Sequence, residues 1–227
     1  MTNTEIYKQI LCIMFGAKAE ENKAQIAYEI MGFHDVFNSD EHIEGSSESY
    51  IKHELEWYQS QDLCIKGHPG IENNKIWKYC ATEDGHVNSN YGWCVFSEDN
   101  HRQFYHVIDA IVVDDNNTKQ AVMYYTRPTI HEQWNDGVHA NHDMICTCYV
   151  SYLLRRGKVH ACVHMRSNDV WYGLRNDLAW QQWVLKAVVE ELNIRGVKCT
   201  AGDIIWNADS LHLYSHNVDE AREWLSR

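Results

Sequence analysis

Proline is nearly absent from this chain, with 2 in 227 residues, and there are only 12 glycines. That scarcity excludes Pro/Gly/Ser-rich linkers and low-complexity tails, and the length suits a single domain over residues 1–227. Long apolar runs are missing as well. The first apolar stretch, Ile6 to Phe15, is interrupted by Lys8, Gln9 and Cys12 and has no basic leader or small-residue cleavage site. Neither a signal peptide nor a membrane span is expected, which implies a cytoplasmic protein. Basic residues are the scarce charge: 20 Lys and Arg against 32 Asp and Glu leave a formal net charge of -12. A general nucleic-acid binder needs a basic stripe that this composition cannot supply, whereas a small anionic ligand needs only a few converging cations.

Cysteine is not scarce, at 8 residues, nor is histidine, at 14. A chain this rich in apolar and aromatic side chains needs no disulfide staples, so the thiols are read as reduced. His160-Ala161-Cys162-Val163-His164 puts three residues of ligand type on one strand face. Closed zinc sites usually draw on CxxC pairs, and none occurs here, so alternation along a sheet is the better reading and no metal is expected.

Ile6, Ile10, Ile13 and Met14 recur at helical spacing and predict a helix over residues 4–15, with a strand over Gln25–Met31 to follow. Ser49–Gln59 predicts a second helix whose apolar positions are Tyr50, Ile51, Leu55 and Tyr58, with Glu54 close to that stripe. Phe104, Val107, Ile108, Ile111 and Val112 mark a third, closed by the turn Asp114-Asp115-Asn116-Asn117. Ala121–Thr126, Ile145–Leu154 and Val159–Met165 have strand composition, and Arg155-Arg156-Gly157-Lys158 makes a hairpin between the last two. Leu178–Leu192 is the strongest helical segment, and Ile204–Trp206 and Leu211–Tyr214 supply two late strands. Helices grouped around a sheet without regular βαβ alternation predict an α+β fold.

One run concentrates chemical information: Met165-Arg166-Ser167-Asn168-Asp169-Val170-Trp171-Tyr172-Gly173-Leu174-Arg175-Asn176-Asp177. It resembles the nucleotide-binding signature of the thymidylate synthase superfamily, QRSxDxxLGxPFN, in which the closing Asn grips uracil. Here the residue four after Gly173 is Asp177. A carboxylate there accepts from the N4 amine of cytosine, but it would face the lone pairs of the uracil carbonyl. Asn176 is adjacent, and a slip of one residue would restore an Asn; the spacing from Gly173 favours Asp177.

Four further stretches resemble the deoxycytidylate hydroxymethylases of T-even phages: Tyr50 to Tyr58, Asn88 to Trp93, Tyr125 to Pro128 and Gly202 to Asn207. The likeness covers roughly residues 25 to 217. It implies a thymidylate synthase-like fold, a large mixed β-sheet flanked by helices, and a homodimer packed sheet to sheet. It also implies 5,10-methylenetetrahydrofolate as cosubstrate, dCMP as substrate and 5-hydroxymethyl-dCMP as product, a precursor of modified phage DNA.

The resemblance assigns roles residue by residue. Cys146 matches the nucleophile that adds to carbon 6 of the pyrimidine, a task for a thiolate able to attack and later leave. On spacing alone, Cys146 would be a buried strand cysteine. Thr147 follows it where thymidylate synthases have His. Glu54 matches the glutamate that orients a water and moves protons, and Tyr91 a tyrosine linked to proton removal at carbon 5. Arg166 and Ser167 match phosphate contacts. The two consecutive arginines that thymidylate synthases lend from the partner subunit are here Lys119 and Gln120, so at most one charge survives; Arg127 either compensates or supports the fold. His212 and Tyr214 match the pair that holds the sugar 3′-hydroxyl, two residues apart as a strand requires. Trp77 and Asp169 match folate contacts. Only a short segment follows Tyr214, where the family continues to a mobile tail, so a wetter pocket is expected. CMP or dUMP hydroxymethylation, thymidylate synthesis and a non-catalytic nucleotide-binding relative stay open as alternatives.

Overall fold

A computed structural model describes residues 1–17, 25–114, 117–131 and 143–227. In chain order the elements are α1 (Asn3–Gly16), β1 (Ile26–Asn38), α2 (Glu48–Ser60), α3 (Pro69–Glu72), α4 (Lys75–Cys80), α5 (Tyr91–Phe96), α6 (Gln103–Val113) and β2 (Val122–Tyr124). There follow β3 (Thr147–Arg155), β4 (Lys158–Met165), β5 (Asn168–Asp169), α7 (Gly173–Ile194), β6 (Thr200–Tyr214) and α8 (Val218–Leu225). Two compact units result: Met1–Ser46 with Tyr152–Arg227, and Ser47–Ser151.

The first unit is built on β6. This 15-residue strand pairs antiparallel with β1 from Ile26↔Tyr214 to Asn38↔Asp203, and parallel with β4 from Lys158↔Thr200 to Met165↔Ala208, which makes the sheet mixed. β5 resumes the line of β4 in the same parallel register, with Asn168 opposite Leu211 and Asp169 opposite His212. Arg166 and Ser167 fall in the break between the two strands, where the backbone leaves the ladder. α7 packs on β4 and β6 through Leu178, Val184, Leu185, Val188 and Leu192, all buried. Each such side chain contributes about 1.5–3 kcal/mol by leaving water.

Two expected late strands are thus one, because polar Asn207, Asp209 and Ser210 break the apolar pattern without breaking the ladder. β1 likewise runs on past Met31. α7 starts at Gly173, earlier than the expected Leu178. Arg175 is tolerated in its buried first turn because the guanidinium sits 4.7 Å from the Tyr7 ring, 4.2 Å from Trp171 and 5.2 Å from Trp224, tying α1 and α8 to α7.

In the second unit α2 starts at Ser47, whose hydroxyl accepts from the Tyr50 amide, and ends on left-handed Gln61. Its buried residues are Glu54, Trp57 and Tyr58; Tyr50, Ile51 and Leu55, expected on the stripe, are half-buried. The indole of Trp57 draws the buried face a few residues round the helix. α5 crosses α2 so closely that a Cβ on Gly92 would lie 1.7 Å from the Tyr58 carbonyl oxygen. Asn90 secures that approach: it caps α5 by accepting from Trp93 and donates to the carbonyls of Trp57 and Asp62. β2 pairs with the first part of β3. The expected turn after α6 closes with Asn117 donating to Asp114, while Asp115 and Asn116 lie outside the described residues. Among the described residues no helix is long and apolar enough to cross a membrane.

Candidate active site

In the second unit Glu54, Trp77 and Tyr91 gather around α2. The Glu54 carboxylate is buried on the inner face and accepts from the Tyr50 hydroxyl, 2.8 Å away and one turn back on the helix. The Trp77 indole, on α4, donates to that hydroxyl oxygen, also at 2.8 Å. Burial pushes the Glu54 carboxyl up to about 7, against the pull of the Tyr50 and Trp77 hydrogen bonds. An acid in that range can hold or release a proton at neutral pH, as proton-transfer chemistry requires. Tyr50 was expected only as an apolar helix position. Its spacing of four from Glu54, with a terminal hydroxyl, is the signal that marks it.

Tyr91 opens α5, stacked on Tyr58 with ring centroids 5.2 Å apart and edge-on to Tyr125 at 5.2 Å. The loop before it is held by Asp143, which sequence reasoning missed. This buried carboxylate accepts from the amides of Asn88 and Ser89, both at 2.7 Å, and from the Ser89 hydroxyl at 2.5 Å. Cys146 follows three residues later, half-buried, with its Sγ 3.9 Å from the Met144 carbonyl. Asp143 therefore ties the Asn88–Ser89 segment that leads into Tyr91 to the segment that leads into Cys146. Its spacing from Cys146 was the only trace in the sequence.

Four other thiols are held toward the protonated form by burial. Burial pushes Cys80 and Cys94 up to about 12 and raises Cys162 and Cys199, with Asp143 and Cys146 adding to the effect at Cys80. Arg127 donates to Asn88 at 3.0 Å and lies 5.2 Å over the Trp93 ring, so it braces the Asn88 loop. Lys119 is exposed.

In the first unit the signature run wraps the junction of β5 and α7. Asp169 accepts from the amides of Trp171 and Tyr172, each at 3.1 Å, and so shapes the turn into the helix. Asp177, half-buried in the first turns of α7 where the helix dipole favours an anion, accepts from the side-chain amide of buried Asn168 at 2.8 Å. Gly173 leaves room for that pair, since a Cβ there would lie 3.2 Å from the Asn168 amide nitrogen and 3.6 Å from Asp177. Asn168 is a second residue missed: as the variable position of the signature, it gave no signal.

Arg166 is exposed at the end of β4 and Ser167 is half-buried beside it. His212 and Tyr214 project from one face of β6, rings edge to face at 4.9 Å. His212 is buried, and its pKa is lowered by that burial first of all and further by the Arg166 charge. Arg166, Asp169 and His212 thus belong to one electrostatic neighbourhood. His160, Cys162 and His164 share a β4 face as expected, and one nitrogen of His160 accepts from the Asp203 amide. Among the described residues no group of three or more His, Cys, Asp or Glu is placed to hold a metal ion.

A mixed sheet with one long central strand, a buried carboxylate of raised pKa and an Arg-Ser run leading into a Gly-started helix define a class. The chain belongs to the thymidylate synthase family, whose pattern matches residues 46–227. It is 44% identical over 181 residues to the deoxycytidylate 5-hydroxymethyltransferases of Enterobacteria phages T4 and T2, across 78% of this chain and 72% of theirs. It is 23% identical over 184 residues to a thymidylate synthase of Francisella tularensis subsp. holarctica, across 78% of this chain and 65% of that one. Thermostable thymidylate synthase A from Bacillus subtilis shares the fold with a TM-score of 0.75 at 15% identity, over 100% of this chain and 85% of that structure. Enzymes of this family act on a pyrimidine nucleotide with methylenetetrahydrofolate.

Proposed function

We propose that the protein converts dCMP, 5,10-methylenetetrahydrofolate and water to 5-hydroxymethyl-dCMP and tetrahydrofolate. Support comes from a carboxylate, Asp177, which accepts from Asn168 and stands where the family signature has the Asn that grips uracil, in a chain 44% identical to phage enzymes named for that reaction. A carboxylate facing cytosine accepts from N4 and shares a proton with N3, and uracil would leave the pair mismatched.

The folate supplies a one-carbon unit. Cys146 adds through sulfur to carbon 6, which makes carbon 5 nucleophilic toward that unit. Tyr91 assists loss of the carbon 5 proton, and departure of tetrahydrofolate leaves an exocyclic methylene on the pyrimidine. Glu54 orients the water whose oxygen adds to that methylene and takes its proton; release of the Cys146 thiolate from carbon 6 then restores the ring. Arg166 and Ser167 hold the 5′-phosphate, with Lys119 supplying a charge from the partner subunit and Arg127 bracing the loop behind. His212 and Tyr214 hold the sugar, and Trp77 and Asp169 the pterin.

The protein acts as a single functional domain and as a homodimer. Support for the dimer comes from the sheet face carrying His34, Val36, His160, Cys162, His164, Ile205 and Asn207, which stays half-exposed to exposed in the lone chain. Such a product suits a phage that modifies its own DNA, made in the host cytoplasm.

Incubation with dCMP and methylenetetrahydrofolate, followed by mass spectrometry, tests the reading. A product heavier than dCMP by one CH2O is expected, and none from Cys146→Ser. A product carrying a methyl group, or turnover that persists without Cys146, would contradict it.

A further inference from the structure

Ser210, His212 and Tyr214 share one face of β6. The register sets Glu29 of β1 directly across from His212 on one side and Asp169 of β5 across from it on the other. The Ser210 hydroxyl donates to the Glu29 carboxylate, and the same Oγ lies 3.3 Å from His212 Nδ1. Direction follows from chemistry: a carboxylate only accepts, so the serine proton points to Glu29 and what Oγ presents to the imidazole is a lone pair. Nδ1 must then carry the ring proton. Because burial also keeps this ring neutral near pH 7, its second nitrogen, Nε2, retains a lone pair. Among the described residues Nε2 has no hydrogen-bond partner.

We infer that Glu29 and Ser210 are positioning residues that lock His212 as a hydrogen-bond acceptor at Nε2, which makes a donor hydroxyl at the sugar 3′ position a requirement of the substrate. A nucleoside 5′-monophosphate with an intact 3′-hydroxyl satisfies that acceptor. A 3′-phosphorylated, internal or 3′-deoxygenated nucleotide does not, so a residue linked through its 3′ oxygen within a polymer is excluded. Glu29 lies before residue 46, ahead of the stretch that the family pattern matches, and reaches the relay through the pairing of β1 with β6. The inference rests on the sugar role proposed for His212.

The test is tritium release from carbon 5 of labelled dCMP and of 2′,3′-dideoxycytidylate, compared as kcat/KM for wild type, Ser210→Ala and Ser210→Thr. Wild type should prefer dCMP by about 10- to 100-fold, the effect of one buried hydrogen bond left unmade. Ser210→Ala should cut that ratio about tenfold, mainly through KM for dCMP, while Ser210→Thr, which keeps the hydroxyl, should restore it. In wild type, ¹⁵N NMR should place the His212 proton on Nδ1. Equal losses on both substrates, an unchanged ratio in Ser210→Ala, or a proton on Nε2 would overturn the inference. A wild type that turns over both substrates equally would instead remove the sugar role of His212, and one that turns over no dCMP would remove the proposed function itself.

Discussion

Glu54 shows how one residue couples stability to chemistry. Its carboxyl titrates near 7 instead of the ordinary 4.5, so in the folded protein it keeps a proton that the unfolded chain has already released. Stability is therefore lost as pH rises from about 4.5 to about 7 and levels off above, a cost on the order of 3 kcal/mol at 1.36 kcal/mol per pH unit. Glu54→Gln removes that cost. Its gain in denaturant stability over wild type should be larger at pH 8 than at pH 5, while kcat falls by about 10²- to 10⁴-fold. Equal gains at both values would show that the site is not desolvated. Tyr50 tunes the same proton: its hydroxyl bond lowers the Glu54 pKa, so Tyr50→Phe should move the acid limb of the kcat profile from near 7 to higher pH. A limb that stays in place would deny Tyr50 this part.

At the scale of elements, the close crossing of α5 over α2 sets where Tyr91 stands. Gly92→Ala would drive a methyl group into the Tyr58 carbonyl, a backbone atom that cannot step aside without parting the helices. A loss of more than about 3 kcal/mol in thermal or denaturant melts is expected, with activity falling beyond the unfolded fraction; a wild-type melt would refute the packing. Such contacts were not legible in advance. The long helices α1 and α6 were, because apolar spacing over three turns carries a period. α3, α4 and α5 are too short to show one. β6 looked like two strands because its outward residues are polar in the middle, and the start of α7 was hidden by Arg175-Asn176-Asp177, of which Arg175 is buried among aromatic rings brought from both ends of the chain. The signature residues were legible by type and spacing. Asp143, Asn168, Ser210 and Glu29 were not, since each acts by holding another side chain and only pairing across strands or loops reveals the partner.

At the scale of the whole molecule, the half-exposed sheet face with its histidines predicts self-association. Light scattering should give twice the 26.6 kDa chain mass. An active species of single mass would contradict the proposed sheet-to-sheet homodimer and the role of Lys119 in a neighbouring site.

The account as a whole depends on which base the enzyme reads. The most direct measurement is competition between dCMP and dUMP for methylenetetrahydrofolate-dependent tritium release, in wild type and in Asp177→Asn. Wild type should favour dCMP by on the order of 10⁴-fold, and Asp177→Asn should erase or invert that preference. A wild type that consumes dUMP first, or an Asn variant with an unchanged ratio, would contradict it.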